Sequence, residues 1–143
     1  MIVKKTLITI GLGLLLLVPV AGYAQGVCVF VTLKVESLNG RVQTKTGEIP
    51  GAVVELRDWN SHDTIKKVVS DEFGYFELDY LKKGKYVIHV THEVFSTLDF
   101  PVRLNPKSTK GGKMLLIFLA PAFKEPCADG GGAEWGGEPK PKK

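Results

Sequence analysis

Residues 46–56 read TGEIPGAVVEL, a polar turn that leads directly into an apolar strand. Pro50 and Gly51 form a dipeptide that is typical of turns. After them, apolar side chains recur at every second position, as they do along a strand that buries one face. The residues of this predicted buried face are Ala52, Val54 and Leu56. The stretch therefore predicts one strand of a sheet that covers a hydrophobic core.

Two later stretches repeat this pattern of a glycine turn followed by an alternating strand. Residues 69–78 read VSDEFGYFEL, and residues 81–90 read LKKGKYVIHV. Their predicted inward side chains are Phe76, Leu78, Tyr86, Ile88 and Val90. Further β-branched or apolar runs lie at 27–35, 64–70, 97–104 and 113–119. Short strands without any helical period predict an all-β fold, an antiparallel β-sandwich of seven to eight strands over residues 25–122.

Composition and charge narrow the class of protein. The 143 residues are 44% hydrophobic and 24% charged, which is too apolar for wholesale disorder, and the length fits one domain. The net charge is +4, and it becomes +2 without Lys4 and Lys5. No long run of Lys or Arg occurs before the last four residues. We therefore expect no nucleic-acid partner.

Residues 1–24 are interpreted as a secretory signal peptide. Two lysines supply the positive start, residues 7–20 supply the apolar run, and residues 22–24 supply the small side chains of a cleavage site. The alternative is an uncleaved membrane anchor, but the apolar run is shorter than the ~20 residues that cross a bilayer. We therefore expect cleavage before Gln25, a secreted or periplasmic protein, and no membrane span in the mature chain.

The two cysteines of the chain are Cys28 and Cys127. In an oxidising compartment such cysteines are more often paired than free, so we predict a disulfide that joins the two ends of the domain. The alternative is a redox or metal-binding thiol, for which the chain has no CxxC motif and no histidine near either cysteine in sequence.

The end of the chain differs in composition from the predicted strands. Residues 121–143 contain five Gly and four Pro. Such a segment is flexible in its glycine part and extended in its proline part, so we predict a disordered tail over residues 123–143.

Together, the three glycine-turn stretches resemble the carboxypeptidase regulatory-like domain, a transthyretin-like (prealbumin-like) β-sandwich. Residues 46–56 are similar to its turn-and-strand signature, residues 69–78 to its T-D-x-x-G-x-F-x-L element, and residues 81–90 to its L-x-x-G-x-Y-x-L-x-V element. The resemblance covers Leu38 to Leu104, and each turn glycine falls where a hairpin tip favours a positive φ. As one departure, Phe95 stands near where the family often has a Gly-Tyr pair, and we expect it to fill the role of that aromatic.

The resemblance implies a non-catalytic module, because in the peptidases that carry this domain the chemistry belongs to a separate zinc domain. Exported relatives serve as spacers, binding modules or parts of adhesins. We therefore expect binding or structural support in the cell envelope or outside the cell, without a cofactor. One alternative is a subunit of an envelope or adhesin assembly. Another is a small exported hydrolase of transthyretin-like fold, although the chain ends Lys-Pro-Lys-Lys where those enzymes end Tyr-Arg-Gly-Ser.

Two aromatic residues are candidates for a contact surface. Trp59 lies in the polar stretch DWNSH at 58–62, and Tyr75 faces outward by alternation. Exposed aromatic side chains beside polar residues suit contact with a protein or carbohydrate partner. The alternative is that Trp59 folds back over the end of the sandwich.

No catalytic residue and no dedicated metal site is predicted. His89 and His92 lie three apart on one strand, so their rings are expected to diverge. Acidic residues near the predicted turns could bind calcium if their loops met, although they lack the order of a dedicated calcium loop. These acidic residues are Asp58, Asp63, Asp71 and Glu72.

Overall fold

A computed structural model describes residues 31–79, 81–106, 113–122 and 131–137. The described residues form nine β-strands, and they include no helix long and apolar enough to cross a membrane. The strands are β1 (Leu33–Val35), β2 (Leu38–Gln43), β3 (Val53–Asp58), β4 (Thr64–Val69), β5 (Tyr75–Leu78), β6 (Gly84–His92), β7 (Phe95–Leu104), β8 (Met114–Phe118) and β9 (Gly132–Gly137).

The nine strands pair into two sheets. The five-stranded sheet has the order β1-β7-β6-β3-β4, and the four-stranded sheet has the order β5-β2-β8-β9. Apolar side chains of both sheets join one continuous core, as in a sandwich. The predicted all-β class is therefore confirmed for the described residues. The predicted count of seven to eight strands is too low.

The prediction of purely antiparallel sheets is wrong at two pairings. β1 pairs in parallel with β7, and β2 pairs in parallel with β8. The chain passes from the five-stranded to the four-stranded sheet three times, between β1 and β2, between β4 and β5, and between β7 and β8. The first and the last of these passages occur at the same end of the molecule. The strands before them, β1 and β7, therefore share one direction, and the strands after them, β2 and β8, share the other.

The strand register defines two ends of the sandwich. The Trp59 end carries the loop at 59–63, where β3 finishes, and the residues that follow β5, described at 79 and 81–83. The Gly51 end carries the loops at 44–52, 70–74 and 93–94, where β2, β4 and β6 finish. Most strands run the full distance between these ends, so the loops of one end are remote from the loops of the other.

Part of the predicted disordered tail is a strand. β9 lies within residues 123–143 and pairs with β8 in antiparallel register. Ala133 and Trp135 pack against the core, because they alternate with residues on the outer side. The expectation of disorder is therefore wrong for 132–137. The segment is rich in glycine, but it also contains two apolar side chains at the spacing of a strand.

The predicted inward faces are confirmed in the described strands. Tyr86 is half-buried and packs against the core, as does Phe95, which lies at the start of β7. The other predicted inward residues are 6% exposed or less; they are Ala52, Val54, Leu56, Phe76, Leu78, Ile88 and Val90.

The glycines of the family-like turns divide into two groups. Gly51 and Gly74 have φ values of 72° and 80°, as expected for turn glycines. Gly47 and Gly84 do not have positive φ, and for them the expectation is wrong. Gly84 is already the first residue of β6, so its backbone follows the strand rather than the turn.

Candidate contact surface

Trp59 lies in the loop that joins β3 to β4. The carboxylate of Asp58 holds this loop, because its Oδ1 accepts the backbone N–H of Asn60 at 2.8 Å and that of Ser61 at 2.9 Å. These two hydrogen bonds lower the pKa of Asp58, and the one from Ser61 has the larger effect. His62, with a φ of 60°, completes the turn. Hydrogen bonds within the loop therefore fix the conformation of the loop that carries Trp59.

The indole of Trp59 contacts the start of β6. The Nζ atom of Lys85 lies 3.5 Å from the centroid of the Trp59 ring, a cation–π contact. Lys85 faces the outer side of the five-stranded sheet, since its neighbour Tyr86 packs against the core. The Trp59 side chain remains 38% exposed. Trp59 thus covers part of the sandwich end, as the alternative hypothesis states, and also keeps an exposed surface.

Sequence reasoning did not single out Lys85. Its outward orientation follows from the alternation along β6, and that signal was present in the sequence. Its contact with Trp59 depends on the pairing of β3 with β6, in which Asp58 lies opposite Tyr86. No local pattern in either strand contains this register.

Tyr75 lies at the start of β5, on the four-stranded sheet. It pairs with Arg41 of β2, whose guanidinium carbon lies 5.4 Å from the centroid of the Tyr75 ring. Arg41 also donates to the carbonyl oxygen of Phe73 at 3.2 Å and pairs with Glu48 at 3.3 Å. Tyr75 is half-buried in this cluster. Trp59 and Tyr75 therefore lie on different sheets, and the structure does not bring them together as one surface.

A row of titratable side chains crosses four strands on the outer side of the five-stranded sheet. In register order it runs Lys67, Glu55, His89 and Asp99. Lys67 Nζ lies 3.8 Å from Glu55 Oε1, and His89 Nδ1 lies 2.5 Å from Asp99 Oδ1. Cross-strand partners of opposite charge stabilise a sheet. His89 therefore takes part in cross-strand contacts on the surface of the sheet.

Glu55 is the best-partnered carboxylate of this row. Its Oε2 accepts hydrogen bonds from Arg57 Nη2 at 2.7 Å and Nε at 3.1 Å, and from Thr64 Oγ1 at 3.3 Å. The hydrogen bond from Arg57 is the main cause that lowers the pKa of Glu55. Partial burial acts in the opposite direction and is outweighed. Glu55 therefore stays ionised at a lower pH than an ordinary glutamate does.

His92 lies at the Gly51 end, away from the row. Its Nδ1 accepts the backbone N–H of Val94 at 3.3 Å, which leaves Nε2 to donate to the carbonyl oxygen of Pro50 at 3.1 Å. The ring also meets Phe95 edge-on, with centroids 5.2 Å apart. Both ring nitrogens of His92 thus form hydrogen bonds with backbone groups. Beside His92 is an open depression of about 570 Å³, lined by Gly51, Val53, Thr91, His92 and Glu93.

The hypothesis that the acidic loops meet is wrong. Asp58 and Asp63 lie at the Trp59 end, whereas Asp71 and Glu72 lie at the Gly51 end. Among the described residues, no group of three His, Cys, Asp or Glu side chains could hold a metal ion.

Several predicted features lie outside the described residues. They are the signal peptide at 1–24, the cysteine pair Cys28 and Cys127, and the parts of the tail on either side of β9.

Comparison with known proteins bears on the family. A family model of the carboxypeptidase regulatory-like domain matches residues 37–114, which is more than half of the chain. The match covers β2 to β7 in full and ends at the first residue of β8, so β1 and β9 lie outside it. A search of curated proteins finds no match. The matched range contains all three glycine-turn stretches, and the chain belongs to the carboxypeptidase regulatory-like domain family.

Proposed function

We propose that the chain is an exported, non-catalytic β-sandwich module that binds a partner in the cell envelope or outside the cell. The contact surface is the Trp59 end of the outer side of the five-stranded sheet. One observation carries this proposal: the indole of Trp59 is 38% exposed although a hydrogen-bonded turn and Lys85 hold it in place.

A fixed, exposed indole is well suited to binding. Its large apolar surface contributes energy when a partner covers it. Because Asp58 and Lys85 already order the loop and the ring, little conformational entropy is lost on contact. Tyr75 is not part of this surface, because Arg41 packs over its ring on the other sheet.

The non-catalytic part of the proposal is supported by what the histidines already do. His89 is bound to Asp99, and both ring nitrogens of His92 bond the backbone. These rings serve the fold. The family match supports the same view, since it is a regulatory-like domain.

The export part of the proposal is supported by residues 1–24, with their positive start, apolar run and small residues before Gln25. The test is the intact mass of the protein recovered from the periplasm or the medium. A chain that begins at Gln25 is the expected result. Recovery of the full-length chain in the membrane fraction would contradict export.

Binding is tested by co-sedimentation of the exported form of the chain with the cell-surface fraction of the organism that carries it. Trp59→Ala should lower the retained amount at least about fivefold, since the indole supplies most of the apolar contact. Tyr75→Ala is the matched control, an aromatic removed from the other sheet, and should change retention little. Equal loss in both variants, or no loss in Trp59→Ala, would refute the surface. Thermal unfolding of each variant confirms that the fold is kept.

A further inference from the structure

Three basic side chains lie in register on the outer side of the five-stranded sheet, at the Trp59 end. Lys85 on β6 is opposite Arg103 on β7, and Arg103 is opposite Lys34 on β1. The neighbours of Arg103 along β7 are both buried in the core, so the three register partners face outward. We call these three residues the basic row. Trp59 extends the row beyond β6, where its ring meets Lys85.

The basic row holds like charges close together. Neighbouring strands are ~4.8 Å apart, so three cations on three strands span about 10 Å. Like charges directly opposite each other destabilise a sheet. Among the described residues, no ion pair involves Lys34 or Arg103. The sheet therefore tolerates a local repulsion that its own acidic side chains do not offset.

The acidic side chains of the same sheet face are paired elsewhere. Glu55 is bound by Arg57 and Lys67, and Asp99 is bound by His89. Asp99 lies four residues before Arg103 along β7, about 13 Å away. The uncompensated charge of this face is therefore positive, and it is concentrated in the basic row beside the exposed indole.

We infer that the basic row and Trp59 bind an acidic polysaccharide; the inference rests on the proposed function, because it names the partner of the same surface. Carboxylates along a sugar chain would accept hydrogen bonds from the guanidinium of Arg103 and the ammonium groups of Lys34 and Lys85. The exposed part of the Trp59 ring would pack against the apolar side of a sugar ring.

A polysaccharide fits this surface better than an acidic peptide. An extended peptide gains affinity from main-chain hydrogen bonds at a free sheet edge. The basic row instead crosses β6 and β7, which have paired neighbours on both sides, so only side chains are offered there. Its edge strand, β1, is three residues long and contacts β9. The open depression beside His92 lies at the opposite end. The surface suits a chain with repeated charges that lies across the strands.

The probe is polygalacturonate, an acidic polysaccharide, titrated by calorimetry into the exported form of the chain at low ionic strength. Binding should weaken as salt is added, because the contacts are exposed charges. The double variant Lys34→Gln with Arg103→Gln should weaken binding at least about tenfold. Lys45→Gln, which removes one exposed charge from the β2–β3 loop at the Gly51 end, is the control and should leave affinity within about twofold. Fully methyl-esterified polygalacturonate, which lacks the charges, should not bind.

Each other outcome is decisive. Equal weakening by Lys45→Gln would show binding by net charge alone and would overturn the inference. Equal or tighter binding of polyglutamate, lost in the double variant, would identify an acidic peptide as the partner and overturn it as well. If polygalacturonate fails to bind while the cell-surface fraction still retains the protein through Trp59, this inference fails and the proposed function stands. If polygalacturonate does not bind and the cell-surface fraction does not retain the protein through Trp59, both this inference and the proposed function are wrong.

Discussion

Ser70 is the one buried polar side chain among the described residues. Its Oγ accepts the backbone N–H of Ala52 at 2.8 Å and donates to the carbonyl oxygen of Ile49 at 2.8 Å. One hydroxyl thereby satisfies a donor and an acceptor of the turn that carries Gly51. The alternation that predicted the neighbouring strands contains no sign of this role.

Ser70→Ala should lower the free energy of unfolding by about 2–4 kcal/mol, because two buried backbone groups lose their partner. Urea unfolding measures the change. Ser61→Ala removes an exposed hydroxyl from the β3–β4 loop and serves as control, with an expected loss below about 1 kcal/mol. A loss in Ser70→Ala no larger than that of the control would contradict the role of the hydroxyl.

Gly74 is required by both its backbone and its surroundings. Its φ is 80°, and a Cβ atom would stand 2.3 Å from the carbonyl oxygen of Val42. Gly74→Ala should therefore lower the free energy of unfolding by about 2 kcal/mol or more. Gly47→Ala is the control, since a Cβ there has nothing within 4 Å and the φ is not positive. Similar values for the two variants in chemical denaturation would show that the close approach is unimportant.

Glu55 should make stability depend on pH. Its pKa is lowered in the fold, mainly by the hydrogen bond from Arg57, so its contribution is fully present above the pKa of an unfolded glutamate. The contribution is lost as the pH falls from about 4 through the lower folded value. Glu55→Gln should cost about 0.5–1 kcal/mol near pH 7, and this difference from the wild type should shrink in acid.

Unfolding free energies measured from neutral pH into acid test this expectation. Glu72→Gln, which removes an exposed carboxylate from the turn before β5, is the control and should change stability by less than about 0.5 kcal/mol. A difference between the wild type and Glu55→Gln that stays constant across the pH range would be inconsistent with a lowered pKa.

At the scale of the elements, β1 and β9 close one side of the sandwich. Both lie at sheet edges outside the family match, and they contact each other. β1 is parallel to β7 and β9 is antiparallel to β8, so both strands enter from the Gly51 end. Cys28 and Cys127 each lie five residues before the first residue of one of these strands. Both cysteines lie outside the described residues, and the disulfide between them stays a prediction.

Reduction of the protein taken from its native compartment should lower the melting temperature, with a loss of about 2–4 kcal/mol. The fold should survive, because the apolar faces of β2 to β8 do not depend on the bridge. Mass spectrometry without reductant should find a chain two hydrogens lighter than the dithiol. Two free thiols in such protein would refute the pairing.

The elements also show what the sequence could predict. The alternation of apolar and polar residues identified the buried faces of β3, β5 and β6, because every second side chain of a half-buried strand packs into the core. It could not identify the parallel pairings, since these depend on where the chain passes between sheets. β9 was missed because Ala133 and Trp135 lie among glycines, and only the free edge of β8 gives them a place in the core.

At the scale of the molecule, the family could be recognised from three turn-and-strand stretches, whereas the site could be found only in part. Trp59 was identified as an exposed aromatic beside polar residues. The basic row was not, because Lys34, Lys85 and Arg103 are far apart in sequence and meet only through the register of three strands. The net charge of the chain did not indicate the row either, since 15 acidic residues reduce the total of 19 basic residues to +4.

The most direct test of the account is a map of where the polysaccharide binds. Titration of the isotopically labelled exported form with polygalacturonate, followed by nuclear magnetic resonance, reports each backbone amide and the indole N–H. The shifted signals should cluster at Trp59 and at the basic row, and they should move back to their positions in the free protein when salt is added. Shifts centred on the depression beside His92, or on the exposed edge of β4, would contradict this binding surface.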